Sequence, residues 1–444
     1  MSAPLGDDPA PAVLPRWLLY TCCLLLVACT IPWRRGTYFS GGLDPVVAVK
    51  GVIGSLGLAL SGYCARRGTA RVHPGPATMA LAAAYLAVSF LGGWGAGEAL
   101  PSAVVAVRVI MLLVSLAFLL GAFGVSDLVH AMVYSMGAVG LLAALTGVGT
   151  LGSGRLSGGV PPVAPNEIAF LTGVVLLLTV HRLMEGTARR WEPWLAAGLA
   201  AIVWLTGSRT TLATLVLAVF LMLVQARRFT VPAFVALVAA IPAAAFAILA
   251  TSAVSNLVLR GGDQNVTTLA SRTIAWQAAL SLDTGAWQHL FGGGLTLKHI
   301  PVSGQYWETQ LLDSSWVSAL VQTGLVGLGI ALVWVLAVLV GAVRSHRPWR
   351  PLWLGLFLFV VVRSLLESGM FDASTSFMVF ALVSLTTEKA VRMAEPEGSV
   401  ATGVLPTRPD TEAVVVGHPT GTWPPPAGYR TRATASNSLH MDAW

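Results

Sequence analysis

Five short segments carry the side chains best suited to chemistry. Arg209 stands in TGSRTTLAT between Ser208 and Thr210. Its guanidinium is a fixed fork of donors that fits phosphate oxygens; the plainer reading is an arginine snorkelling to a membrane surface. Arg272 lies in SRTIAWQAALSL, where Ile274, Ala278 and Leu282 keep helical spacing and Ser271 can cap. A cation at a helix N-terminus opposes the macrodipole by about half a kcal/mol. That points to an anionic partner; the alternative is an exposed loop arginine. Asp313 opens DSSWVSALVQTGLVG. It reads as an N-cap or as a base accepting a proton from a hydroxyl, and both can hold. Arg363 and Glu367 are four residues apart in VVRSLLESGMFD, either a pair on one helix face or two charges facing a cavity. Asn166 and Glu167 open an apolar run after VPPVAP, with Glu167 suited to a helix first turn. Lys50 and Arg108 are further charges inside apolar runs, while Asp127 and His130 fall at a turn and carry little weight.

The elements that must position these groups follow from composition. The 444 residues are 55% hydrophobic and only 11% charged, with a mean hydropathy of +0.74. A soluble globular chain carries about 25% charged residues, so a soluble enzyme and a disordered chain are both excluded. Twelve apolar runs are predicted, at about 17–33, 45–63, 78–93, 102–122, 128–148, 167–183, 194–206, 210–225, 231–254, 314–342, 352–366 and 374–388. The fold class is therefore an all-α polytopic transmembrane bundle of about twelve spans. One large extracytoplasmic loop with short helices interrupts it, and a loop of that length is usually functional.

The expected organisation is a cytoplasmic segment 1–16, spans one to nine over 17–254, the loop over 255–313, spans ten to twelve over 314–388, and a disordered tail over 389–444. Lysines and arginines are more frequent in the loops that share a side with the N-terminus, which puts both termini in the cytoplasm. The first run is read as a retained anchor, because the N-terminus lacks the basic start and small-residue cleavage site of a removed signal peptide. LFGGGL (Leu290 to Leu295) suits a tight backbone approach or a hinge. Tyr306 and Trp307 are candidates for stacking on sugar rings. Cys22, Cys23, Cys29 and Cys64 lie in or beside the first two runs, so neither a disulfide nor a metal site is expected.

Other chemistries lack their residues. There is no Walker A loop, no HExxH, no paired CxxC and no DxD. No cofactor is expected, and arginines would do the electrostatic work in place of a metal. The net charge of +7 is scattered at helix ends rather than clustered, which gives no sign of nucleic acid.

The order of the pieces resembles the O-antigen ligase/polymerase superfamily of bacterial membrane glycosyltransferases. The resemblance rests on PNEIAF (Pro165 to Phe170), GSRTTL (Gly207 to Leu212), SRTIAWQAAL with LFGGGL (Ser271 to Leu295), LDSSWVSALVQTGLVG (Leu312 to Gly327) and VVRSLLES (Val361 to Ser368). It covers the second half of the chain well and the first half by hydropathy alone. Ligases of this kind have a His, then Asn, Ser or Gln, nine residues, and Gly-x-x-Gly. Here Asp313 takes the His place, Ser314 follows, residues 315–323 are the nine, and Gly324 and Gly327 close the pattern. That replacement shifts weight from ligase to polymerase.

The resemblance implies transfer of a polyprenyl-diphosphate-linked oligosaccharide to a saccharide acceptor, outside the plasma membrane of a bacterium, in surface polysaccharide assembly. Arg209 and Arg272 would hold the diphosphate, Asp313 would be the base, and Asn166, Glu167, Arg363 and Glu367 would line the same cavity. The reaction would be metal-independent and inverting. Membrane lipids, a flippase and a chain-length regulator are the further partners considered. The competing reading is a multi-span transporter of a lipid-linked saccharide or small ion. A third is a non-catalytic scaffold, which would tolerate Arg209→Ala and Asp313→Ala.

Overall fold

The structure, a computed structural model, describes residues 14–33, 45–68, 72, 74–225, 276–281, 285–301 and 309–388. The ninth predicted run, the tail, the start of the loop with Arg272, and Tyr306 and Trp307 lie outside these residues.

The chain is helical wherever the described apolar runs were predicted. In order these are α1 (Arg16–Thr30), α2 (Pro45–Arg67), α3 (Pro76–Gly95), α4 (Ala99–Phe123), α5 (Val125–Thr146), α6 (Pro165–Glu185), α7 (Glu192–Leu205) and α8 (Arg209–Gln225). A short α9 (Ala286–Phe291) and the strands β1 (His299–Pro301) and β2 (Thr309–Leu311) follow. Then come α10 (Ser315–Val343), α11 (Arg350–Arg363) and α12 (Thr375–Thr387). In lipid every backbone polar group must be bonded within the segment, which leaves the helix as the only open-ended solution. Among the described residues six helices, α2 to α6 and α10, are long and apolar enough to cross a membrane. The shorter apolar ones include α7 and α8, already short in the sequence.

Proline starts α3 and α6, where its missing N–H is one that a helix start leaves unused. Ser314 caps α10 and Ser374 caps α12, each accepting a backbone N–H three residues on. α2 lies on α1 and α4, α6 on α5 and α7, α8 on α11, and α10 on α3. Small residues set the spacing. A Cβ placed on Gly140 would stand 3.0 Å from Leu171, and one on Gly173 would stand 2.8 Å from Phe359. Phe170 and Phe359 stack at 5.4 Å beside that second contact. Every residue of α12 is buried, its serines and threonines included, as expected of a helix inside a bundle.

α10 is interrupted. Gly324 has φ +64°, a left-handed value that glycine adopts without penalty. The break frees the carbonyls of Val321 and Gln322, which accept the N–H groups of Gly293 at 3.0 Å and Gly294 at 2.8 Å. Side chains would not fit there. A Cβ on Gly292 would overlap the Gln322 carbonyl carbon, and one on Gly294 would stand 2.8 Å from Gly93 Cα. The glycine run is thus a seat for backbone on backbone, one of its two predicted uses.

Candidate functional site

The residues seated by that seam form one wall of a cavity. Gln322 Nε2 donates to the carbonyls of Leu295 and Leu297, at 3.4 and 3.0 Å, and Ser89 accepts the Leu295 N–H at 3.1 Å. The chain then reaches Lys298, whose carbonyl accepts from Leu312 N at 3.0 Å. The antiparallel strands pair His299 with Leu311 and Pro301 with Thr309, and the second strand delivers Asp313 to the start of α10.

The cavity holds about 590 Å³ and opens where α1 ends and α2, α6, α10 and α12 begin. Lys50, Arg108, Asn166, Glu167, Lys298 and Asp313 line it, together with Arg363, Glu367 and Asp372. Five of the seven site residues predicted from sequence therefore meet here: Asn166, Glu167, Asp313, Arg363 and Glu367. Arg209 does not line it; it is exposed at the first residue of α8. Arg272 lies outside the described residues.

Local folding explains each placement. Ser315 donates its hydroxyl to the Glu367 carbonyl at 2.8 Å and its N–H to the Ser364 carbonyl at 2.9 Å, tying the start of α10 to the turn after α11. That tie sets Asp313 beside the Glu367 to Asp372 turn. The cap of α10 is Ser314, whose hydroxyl accepts the Val317 N–H, so the capping reading of Asp313 is corrected. Asp313 is left as a half-buried carboxylate on the cavity wall.

Arg363 is buried and pairs across helices with Glu167 at 3.4 Å. It also donates to Ser376 at 2.9 Å and lies 4.6 Å above the Phe170 ring. Glu167 in turn accepts from the Thr375 hydroxyl. Glu367 takes a 2.7 Å bond from the Asn166 amide. Asn166 accepts from Arg155 at 3.2 Å, and Arg155 Nε reaches the Thr206 carbonyl at 3.0 Å. A polar chain thus runs from the turn before Arg209 to the Glu367 carboxylate.

Lys298 and Asp372 form an ion pair on the cavity wall. Burial first, and the positive charge of Arg108 second, press the Lys298 ammonium down to about 8. Tyr85 lines the cavity with its buried hydroxyl lacking a partner among the described residues, and its ring sits 5.3 Å from Phe371.

Sequence reasoning passed over Lys298, Asp372 and Arg155 as site residues. Their signal was faint: one lysine in a long loop, an aspartate four residues past the last motif, and an arginine counted only for orientation. Lys50 and Arg108 had been marked as charges inside apolar runs, and both reach the cavity. Asp127 and His130 sit at the opposite end, where Arg16 meets Asp127 at 3.5 Å and Arg182 meets Glu192 at 2.9 Å.

Electrostatically the cavity sets carboxylates and cations around a polar space of saccharide scale. Such an arrangement can bind hydroxyls, accept a proton and hold an anion.

Residues 194–332 match the O-antigen ligase family. The match runs from α7 into α10, just under a third of the chain. It shows the resemblance to the O-antigen ligase/polymerase superfamily over that segment. The segment contains Arg209, Arg272 and Asp313; Asn166, Glu167, Arg363 and Glu367 lie outside it. No curated protein matches the chain. With its apolar helices and this partial family match, the chain is an integral membrane protein.

Proposed function

We propose that this protein transfers a saccharide from a polyprenyl-diphosphate-linked donor to a saccharide acceptor, as a polymerase of surface polysaccharide repeats. The observation that carries the reading is Asp313: a carboxylate released from capping, held on a polar cavity, within the segment matching the O-antigen ligases. The acceptor hydroxyl attacks the anomeric carbon and gives its proton to Asp313. The bond from that carbon to the phosphate oxygen breaks, and the diphosphate leaves with the electron pair. Attack from the face opposite the leaving group inverts the anomeric centre.

Arg209 and Arg272 neutralise charge on the leaving diphosphate, with no metal required. Asn166, Glu167, Arg363 and Glu367 shape the wall that receives the saccharide. The cavity faces outward from a bacterial plasma membrane. The basic residues Arg66, Arg67, Arg182, Arg189, Arg190, Arg344 and Arg347 gather at the other end of the helices, the pattern of a cytoplasmic face. Asp313 in place of a histidine favours polymerase over ligase.

The test is transfer by purified protein in detergent, given a lipid-diphosphate-linked oligosaccharide from its own organism, with and without EDTA. A ladder of longer lipid-linked products that survives EDTA is expected. Arg209→Ala or Arg272→Ala should cost about a hundredfold or more in rate, the usual loss for one electrostatic donor. A single transfer to another acceptor would make it a ligase. Movement of the lipid across proteoliposomes with no product would sink the enzyme reading in favour of transport.

A further inference from the structure

Four cationic side chains line the cavity, and they are not alike. Lys298 is paired with Asp372 and Arg363 with Glu167. Among the described residues, Lys50 and Arg108 have no carboxylate within ion-pair distance. Lys50 stands on the second turn of α2 and Arg108 on the third turn of α4, two helices in contact along their length. At 1.5 Å per residue they lie about 8 and 14 Å in from their helix starts. Lys50 and Lys298 both feel the charge of Arg108. Arg108 uses one of its donors on the Cys29 carbonyl at 3.3 Å. Beneath both side chains lies an apolar recess of Leu26, Gly54, Met111 and Leu112.

Ionisable groups at membrane depth are costly and usually face a partner or a cavity. Two uncompensated like charges side by side add repulsion. An anion removes both penalties. A guanidinium fork takes two oxygens of one oxyanion, and an ammonium beside it adds a compact charge. The other cavity carboxylates stand on α6, at the start of α10 and on the turn after α11, whereas this wall is α1, α2 and α4. It also lies wholly outside residues 194–332.

We propose that Lys50 and Arg108 form an oxyanion-binding subsite of the cavity, taking a carboxylate or phosphate group carried by the saccharide substrate. This rests on the cavity being the transfer site and adds that its substrate is acidic. A carboxylate would come from an acidic sugar and a phosphate from a phosphorylated sugar, since the lipid diphosphate falls to Arg209 and Arg272 in the proposed reaction.

The test is thermal unfolding of the full-length protein in detergent with sodium glucuronate, sodium pyrophosphate or glucose, at constant ionic strength. Oxyanion should raise the melting temperature of the wild type and glucose should not. Lys50→Met and Arg108→Met should each weaken that response by about tenfold or more, the value of one charge-assisted hydrogen bond. Protection by glucuronate alone identifies an acidic sugar, and by pyrophosphate alone a phosphate. No protection of the wild type by either anion, or equal protection of the variants, overturns the proposal.

Folding is itself informative. Removing an uncompensated charge should leave unliganded Lys50→Met at least as stable as the wild type. A variant that unfolds would mean the ammonium is structurally paired, which also overturns the subsite. None of these readouts needs transfer, so a failed transfer assay and a failed subsite are told apart.

Discussion

Glu167 on the first turn of α6 meets Arg363 at the end of α11 at 3.4 Å, across a sequence separation of 196. The arginine side chain is only 4% exposed. Removing one member of such a pair strands the other charge in a poorly solvated site. Arg363→Met is expected to lower stability by about 3–5 kcal/mol, and the double variant Arg363→Met/Glu167→Gln should recover part of it. Thermal unfolding of both in detergent checks this; a double variant no more stable than the single one would count against the pair.

Asn166 links Arg155 to Glu367 through one amide. Asn166→Ala removes a hydrogen bond to a carboxylate, worth about 1.5 kcal/mol or more, or roughly tenfold in rate. Asn166→Asp should be worse, because it sets a second carboxylate against Glu367. Initial rates of product formation, split into kcat and KM, rank the two. The reverse ranking would mean that the charge of Glu367 is not what Asn166 governs.

Gly324 should resist substitution. At φ +64° a Cβ is strained and would overlap the Leu290 carbonyl. Gly324→Ala is expected to destabilise the fold by at least about 1–3 kcal/mol and to speed proteolysis within residues 285–301. Gly329→Ala, where a Cβ meets open space, is the control. Matching cleavage rates for the two variants would refute the seam.

Lys298 offers a pH signature. Its folded value of about 8 lies below the ordinary 10.5. Between those values the unfolded chain binds the extra proton, so this group makes stability rise with pH. Melting temperature should climb from pH 8 towards 10 relative to Lys298→Met. A relative fall would show that the grip of Asp372 outweighs burial.

Apolar runs twenty residues long announce helices whatever else the chain does, which is why every described run became a helix within a few residues of its expected ends. Asn166, Glu167, Asp313, Arg363 and Glu367 were legible for a related reason: a charge at the edge of an apolar run stands out. Pairings were not. The i,i+4 spacing pointed Arg363 at Glu367, while the helix crossing brought it Glu167. Nor was the cap: Asp313 was read as the N-cap, while the helix begins one residue later and is capped by Ser314, a hydroxyl residue equally suited to the role. Lys298 and Asp372 meet only because the glycine seam folds the loop back, a long-range event with no local periodicity.

The nine residues between Ser314 and Gly324 make a rigid helical spacer about 14 Å long. One end presents Asp313, and the other holds the loop through main-chain bonds to Gly293 and Gly294 and through the Gln322 side chain. A latch made largely of peptide groups asks of neighbouring side chains only the Gln322 amide, the Ser89 hydroxyl and room for the glycines. The latch lies before Lys298, so the side chains of the two strands take no part in it. In the proposed reaction, substrate preference can drift while the distance from anchor to Asp313 stays constant.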